Sequence, residues 1–311
     1  MKPKLIVILG PTAVGKTELS VELASRLNGE IISGDSMQFY KYMDIGTAKI
    51  RAEEMKAKNG NVVPHHLIDF LTPNQPYSVA DFQKDAAKLV LDINAGGKIP
   101  ILAGGTGLYV SALVEGYTFI EHEDTDHEFR REKQAEYAEK GGEAMLAELA
   151  AVDPKAAAKI EPADSKKLIR ALEVYHLTGK TLSEQSTKNP PDWNITLIGL
   201  QRDREQLYDR INRRVLQMMD AGFLQEVQNL LAMGYGRELK PMQGLGYKQL
   251  CMYLDGEITY EEAITLIQRD TRRFAKRQLT WWRHKENINW FDLTEVSDIE
   301  QILPRIIQVC Q

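Results

Sequence analysis

Two hydrophobic rhythms alternate along the first hundred residues of the chain. Lys4–Leu9 is a short, nearly continuous apolar run, as expected of a buried strand, and a glycine turn follows at once. Residues 17–27 then place Leu19, Leu23 and Leu27 four apart, which predicts a helix with Gly29 as its C-cap. A second short apolar strand, 30–33, runs into the polar Gly34-Asp35-Ser36. Ser78 with Asp81 has an N-cap pattern, and Phe82, Ala86, Leu89 and Ile93 continue one helical face up to Gly96-Gly97. Ile99–Ala103 reads as the next strand, followed by Gly104-Gly105-Thr106-Gly107 and a helix from Leu108. Strand and helix alternating through short loops predict an α/β fold with a parallel sheet.

After Gly116 the pattern changes. Residues 121–148 hold ten acidic and four basic side chains and no strand-like run. Helical signals continue through Leu168, Leu172 and Tyr175 to Gly179, a turn-rich stretch spans 187–193, and 195–200 again looks like a core strand. The expectation is therefore a core of residues 1–116 and 195–311 interrupted by a mostly helical insertion, 117–194. Leu207, Ile211, Val215 and Met218 mark a later helical face, and 288–291 a late strand.

Composition narrows the class. With 311 residues, 43% hydrophobic and 27% charged, the chain has ample material for a core and is not wholly disordered. The apolar run at the start is far too short to span a membrane, so no membrane association is expected. Cys251 and Cys310 form no metal-type cluster, and a reducing cytoplasm is the default compartment. The net charge of −5 means that any nucleic-acid site must be a local basic patch.

The strongest chemical signal is Gly10-Pro11-Thr12-Ala13-Val14-Gly15-Lys16-Thr17, a G-x-x-x-x-G-K-[ST] loop between a strand and a helix. Its glycines let backbone N–H groups turn inward around an anion, the helix N-terminus adds its dipole, Lys16 supplies a point charge, and the Thr17 hydroxyl can hold Mg²⁺. This loop indicates a diphosphate or triphosphate and does not by itself identify ATP. A Walker-B strand should end in Asp, whereas Ile99–Ala103 runs into Gly-Gly-Thr-Gly, an early sign that phosphoryl transfer is not the chemistry. Asp35 follows the second strand, where α/β sheets place ligands; it can accept a proton or simply cap a turn. His65-His66, beside Leu67-Ile68, reads mainly as structural.

Residues 269–285 contain seven Lys or Arg against one acid, with Phe274, Trp281 and Trp282 interleaved. Arg269, Arg272, Arg273, Lys276 and Arg277 are expected on one helical face that suits a phosphodiester backbone. The competing reading is a solvated face over buried tryptophans. On residues alone a prenyl or other diphosphate-dependent transferase, a small-molecule or nucleotide kinase, and a non-catalytic RNA-binding module all stay open.

In order along the chain, GPTAVGKT at 10–17, SGDSMQ at 33–38, DIGTAK at 44–49, HHLID at 65–69, GGTGLY at 104–109, RALEVY at 170–175, GYK at 246–248 and KRQLTWWR at 276–283 resemble the tRNA dimethylallyltransferase family, the bacterial tRNA isopentenyltransferases. The resemblance is collinear over nearly the whole chain. It implies a P-loop NTPase-like parallel core flanked by helices, with a helical insertion. It also implies that dimethylallyl diphosphate donates its five-carbon group to N6 of the adenosine 3′ of the anticodon, position 37, with release of pyrophosphate. The implied cofactor is Mg²⁺, the implied partner the anticodon stem-loop of tRNA, and the expected state a cytoplasmic monomer.

The same resemblance implies residue roles. Asp35 would be the general base, Lys16, Thr17 and Arg214 would act on the departing pyrophosphate, and Thr106 would contact the flipped nucleotide. Contacts to tRNA are implied for Asp35-Ser36-Met37-Gln38, Lys166-Lys167-Leu168-Ile169-Arg170, Gln243-Gly244-Leu245-Gly246-Tyr247-Lys248, Lys276-Arg277-Gln278-Leu279-Thr280-Trp281-Trp282-Arg283 and Arg130. One departure stands out. Lys166-Lys167 replaces the family's frequent Gln-Arg, which keeps positive charge but loses bidentate geometry. The acidic stretch 121–148 is unsuited to RNA contact and is expected to face away from it.

Overall fold

A computed structural model of the chain describes residues 2–119, 126–185 and 187–311. It divides into two compact units, one formed by residues 1–114 and 192–311 and the other by 115–191.

The larger unit is built on β1 (Lys4–Leu9), α1 (Lys16–Leu27), β2 (Gly29–Ser33), β3 (His65–His66), α2 (Val79–Ala95), β4 (Ile99–Ala103) and α3 (Gly107–Glu115). The second unit holds α4 (His127–Val152), α5 (Pro154–Ala157), α6 (Ser165–Thr178) and α7 (Leu182–Gln185). The chain then returns to the larger unit with β5 (Asn194–Gln201), α8 (Arg204–Asp220), α9 (Phe223–Ala232), α10 (Tyr247–Leu254), α11 (Tyr260–Arg283), β6 (Ile288–Asp292) and α12 (Leu303–Cys310).

Six strands form one sheet in the order β3-β2-β4-β1-β5-β6, and every neighbouring pair is parallel. The central β1 is buried along Leu5–Leu9 because helices cover both faces of the sheet. Leu19, Leu23, Ile101 and Leu200 pack on one side, and Phe82, Ala86, Val90 and Leu102 on the other. All strands point the same way, so the loops after β1, β2 and β4 gather at one edge, where open α/β sheets bind ligands.

Local expectations are refined at three points. The cap of α1 is Asn28, in the left-handed region at φ 52°, and Gly29 already belongs to β2. The buried stripe of α2 runs through Val90 and not Leu89, and Ser78 and Asp81 form a reciprocal capping box. In α8 the core stripe is Leu207, Ile211, Val215 and Met219, which turns Met218 aside.

The second unit has its own core of Met145, Leu149, Leu168, Ile169, Ala171 and Leu172. Gly141 breaks α4 at φ 81° and ψ 172°. Residues 121–125 of the acidic stretch lie outside the described residues. The remainder of that stretch is α4, where Lys133 pairs with Glu136 at 2.9 Å and with Glu148 at 2.5 Å.

Candidate active site

The P-loop follows β1 and leads straight into α1, with Gly15 and Lys16 at the helix start. Ala13 sits at φ 63°, a left-handed conformation that costs an alanine energy and is held by its surroundings. Three side chains grip the outer carbonyls of the loop. Arg210 Nε donates to Ala13 O at 2.9 Å, Arg202 Nε donates to Val14 O at 3.2 Å, and Lys16 Nζ donates to Gly10 O and Pro11 O at 3.0 and 2.8 Å. These contacts fix the loop carbonyls; the Thr12 and Val14 N–H groups are taken within the protein, by Gln278 Oε1 and Pro11 O, and the N–H groups at the start of α1 are the ones placed to meet an anion.

Asp35 lies in the loop after β2, and its Oδ1 accepts from the Met37 backbone N–H at 3.0 Å. That loop presses against the loop after β4. A Cβ on Gly104 would stand 2.4 Å from the Gly34 backbone, so only glycine allows the approach. Thr106 completes the junction by accepting from Ser36 N–H at 3.2 Å.

Two cavities meet at Asp35. The smaller, about 60 Å³, is also lined by Lys16, Thr17, Ser33, Gln38 and His65. The larger, about 560 Å³, is lined by Asp35, Thr106, Arg214, Phe223, Lys248, Arg273 and Arg277 among others. Its walls combine apolar Ile211, Val215, Met218, Phe223 and Ile267 with these cations. Met218, displaced from the core stripe of α8, therefore faces the cleft.

The electrostatics are those of a crowded, water-poor floor. Burial pulls the Lys16 ammonium down to about 8, against the attraction of Asp35 and with a push from Arg214. Burial raises the Asp35 carboxyl above the ordinary range, partly offset by the Met37 N–H and the two cations. Burial likewise lowers Arg214, which Asp35 partly restores. Lys16, Asp35 and Arg214 thus influence one another's charge where the two cavities meet.

The wall of the cleft rests on Glu226, which sequence reading did not single out. Its carboxylate accepts from three successive N–H groups, Asp44 at 2.8 Å, Ile45 at 2.7 Å and Gly46 at 3.1 Å, and from the Tyr247 hydroxyl at 2.6 Å. The only local signal was an acid in the first turn of a helix. Lys49, the last residue of the DIGTAK run, staples the same loop through Tyr40 O, Asp44 and Asp69 at 2.7, 2.6 and 2.7 Å. His66 pairs with Glu30 at 2.6 Å, while His65 Nδ1 donates to Val63 O at 2.8 Å and its ring borders the smaller cavity.

The segments expected to touch RNA divide by helical geometry. Five consecutive residues of α6 cannot share one face, and Leu168 and Ile169 are buried in the second unit's core while Lys166, Lys167 and Arg170 are exposed. Tyr247 is fully buried, between exposed Gln243 and Lys248. In α11, Gln278 and Trp282 are buried, Leu279 is partly buried, and Lys276, Arg277, Thr280, Trp281 and Arg283 are exposed. Arg130 and Arg170 both pair with the buried Glu173, each at 2.7 Å.

The cations of α11 differ in their partners. Arg272 turns to Asn212 Oδ1 at 2.6 Å, and Arg269 pairs with Asp270 at 2.9 Å. Of the seven cations, Arg273 and Arg277 line the large cleft.

Comparisons with known proteins agree with this architecture. The IPP transferase family profile matches residues 38–285, and an isopentenyl transferase profile matches residues 3–63. A tRNA dimethylallyltransferase of Carboxydothermus hydrogenoformans is 51% identical over 310 residues, covering 99% of this chain and 97% of the relative. That of Halalkalibacterium halodurans is 49% identical over 306 residues, covering 97% and 95%. Among solved structures, the full-length tRNA isopentenylpyrophosphate transferase of Bacillus halodurans superposes with a TM-score of 0.73 at 48% identity, covering 99% of this chain and 95% of that one. A eukaryotic dimethylallyltransferase acting on tRNA superposes with a TM-score of 0.79 at 28% identity, covering 98% and 79%. The chain belongs to the IPP transferase family, enzymes that transfer a dimethylallyl group to tRNA.

Proposed function

We propose that the chain transfers the dimethylallyl group of dimethylallyl diphosphate to N6 of the adenosine immediately 3′ of the anticodon, position 37, and releases pyrophosphate. The observation that carries this reading is the place of Asp35. Its carboxylate borders both the small cavity with Lys16 and Thr17 and the large cleft with Thr106, Arg214 and Arg277. A diphosphate on one side and an extruded base on the other would meet at this carboxylate.

The step forms a bond from N6 to C1 of the prenyl group and breaks the bond from C1 to the diphosphate oxygen. Positive charge builds on N6 as its lone pair leaves the ring, and Asp35 takes the N6 proton. Charge accumulating on the leaving pyrophosphate is met by the P-loop N–H groups, Lys16 and Arg214. The apolar wall of Ile211, Val215, Met218 and Phe223 suits the five-carbon chain and keeps water from the allyl centre.

The residues fit Mg²⁺ carried in on a diphosphate rather than a protein-built metal cage. Thr17 offers a hydroxyl at the helix start, and no group of three or more His, Cys, Asp or Glu that could hold a metal occurs among the described residues. Thr17 would hold the ion, which when bound supplies further positive charge beside the diphosphate.

A kinase reading is not favoured. β4 lies next to β1 and ends in Ala103-Gly104-Gly105, with no Asp at its tip. The direct test is to incubate the protein with labelled dimethylallyl diphosphate and unmodified tRNA. Label entering RNA supports the proposal; label remaining outside RNA, with ATP consumed instead, contradicts it.

A further inference from the structure

The KRQLTWWR segment was expected to face RNA, yet one of its polar side chains points the other way. Gln278 is 6% exposed and lies beneath the P-loop. Its Oε1 accepts from the Thr12 backbone N–H at 2.8 Å, and its Nε2 donates to Gly105 O at 2.9 Å. A Cβ on Gly105 would stand 2.2 Å from that nitrogen, so the amide fills the gap between the two loops.

Gly105 precedes Thr106, whose hydroxyl accepts from Ser36 N–H beside Asp35 at 3.2 Å. One side chain of α11 therefore joins the phosphate loop, the loop after β4 and, through Thr106, the loop that carries the carboxylate. Its neighbour Arg277 lines the large cleft.

We propose that Gln278 is a positioning residue for transfer: it sets the diphosphate cradle in register with Asp35 and Thr106 rather than contacting tRNA. This rests on the reaction proposed above, because the register matters only if the diphosphate and the acceptor base react across these loops. With its oxygen and an amide N–H committed inward, Gln278 is buried against protein while its exposed neighbour Arg277 lines the large cleft. Loss of the clamp frees the crest of the P-loop, and displacements of about 1 Å in a reacting pair cost up to about 100-fold.

The test compares Gln278→Met, which keeps volume and loses both hydrogen bonds, with Gln278→Glu, which keeps the acceptor for Thr12 and loses the donor to Gly105. Single-turnover transfer, pyrophosphate affinity by calorimetry and tRNA affinity by filter retention are measured on folded protein. Asn94→Ala, which removes hydrogen bonds to Lys4 and Val90 away from the cleft, controls for general loss of stability.

The expected result for Gln278→Met is transfer slowed about 10- to 100-fold and weaker pyrophosphate binding, with tRNA affinity within about twofold of wild type. Gln278→Glu, which sets a carboxylate against Gly105 O beneath the anion cradle, should be slowed at least as much as Gln278→Met, and Asn94→Ala should match wild type per folded molecule. If Gln278→Met does not fold, Gln278→Glu and the pyrophosphate titration decide the matter. Wild-type pyrophosphate affinity and transfer in the variants would overturn the proposal, as would a loss confined to tRNA affinity. A wild-type protein that binds pyrophosphate but transfers nothing would instead refute the reaction on which the proposal rests.

Discussion

The backbone N–H of Ser36 donates to the Thr106 hydroxyl at 3.2 Å, which fixes the loop carrying Asp35 against the loop after β4. Thr106→Val keeps the shape and removes the acceptor, leaving a half-buried N–H without its partner. Single-turnover transfer should fall about tenfold with little change in thermal stability. Wild-type rates would show that this hydrogen bond does not position the carboxylate.

Asp35→Ala should slow the chemical step by about 10²–10⁴-fold and leave pyrophosphate binding intact. Because burial raises the Asp35 carboxyl, its ionised form is lost at a higher pH than for an ordinary aspartate. The single-turnover rate of the wild type should therefore decline on acidification before a free aspartate would titrate. The residual rate of Asp35→Ala should lack that acid limb. A mutant that retains it would place the titrating group elsewhere.

Lys16 gives a second pH signature. In the folded chain it loses its proton as pH rises through about 8, well below its ordinary 10.5. Between those values the unfolded chain binds more protons, so this group's contribution to stability rises with pH across that window. Diphosphate affinity moves the other way, since the anion needs the ammonium. Pyrophosphate binding should weaken about tenfold from pH 7 to pH 9 in the wild type and show no such trend in Lys16→Met. Calorimetric titration at both pH values distinguishes the two.

Arg273 and Arg277 line the cleft, Arg273 with a longer ion pair to Asp270 at 3.6 Å, whereas Arg269 and Arg272 are held closely by Asp270 and Asn212 and do not line it. Replacing Arg273 and Arg277 by Ala should weaken tRNA binding and reduce the slope of log affinity against log salt by about 0.7–0.9 for each lost phosphate contact. Replacing Arg269 should change the slope much less. An unchanged slope in the double variant would mean that these arginines only cover the helix.

Much of the fold is readable from local pattern. β1 and β4 are unbroken apolar runs because helices cover both faces, and Ser78 with Asp81 announces its helix through a contact three residues long. The errors are also local. Asn28 takes the left-handed cap, which asparagine tolerates better than other side-chain-bearing residues, and Met218 and Met219 are indistinguishable by spacing until the cleft claims one of them.

The site was readable only where a motif carries its own chemistry, as at Lys16 and Asp35. Gln278 meets Thr12 across 266 residues, and Glu226 meets Asp44 across 182. No periodicity records such pairings. For the same reason a run of expected contact residues along α11 could not be divided into cleft-lining Arg277 and inward Gln278 before the helix was placed.

In the proposed reaction a diphosphate held beside the smaller cavity meets an acceptor adenosine in the larger cleft at Asp35. This is tested most directly by digesting tRNA after a single turnover with dimethylallyl diphosphate, locating the added group by mass spectrometry and quantifying released pyrophosphate. The expected product is N6-dimethylallyladenosine at position 37, equimolar with pyrophosphate, and none in tRNA carrying guanosine there. Modification at another nucleotide, or pyrophosphate release without modified RNA, would contradict it.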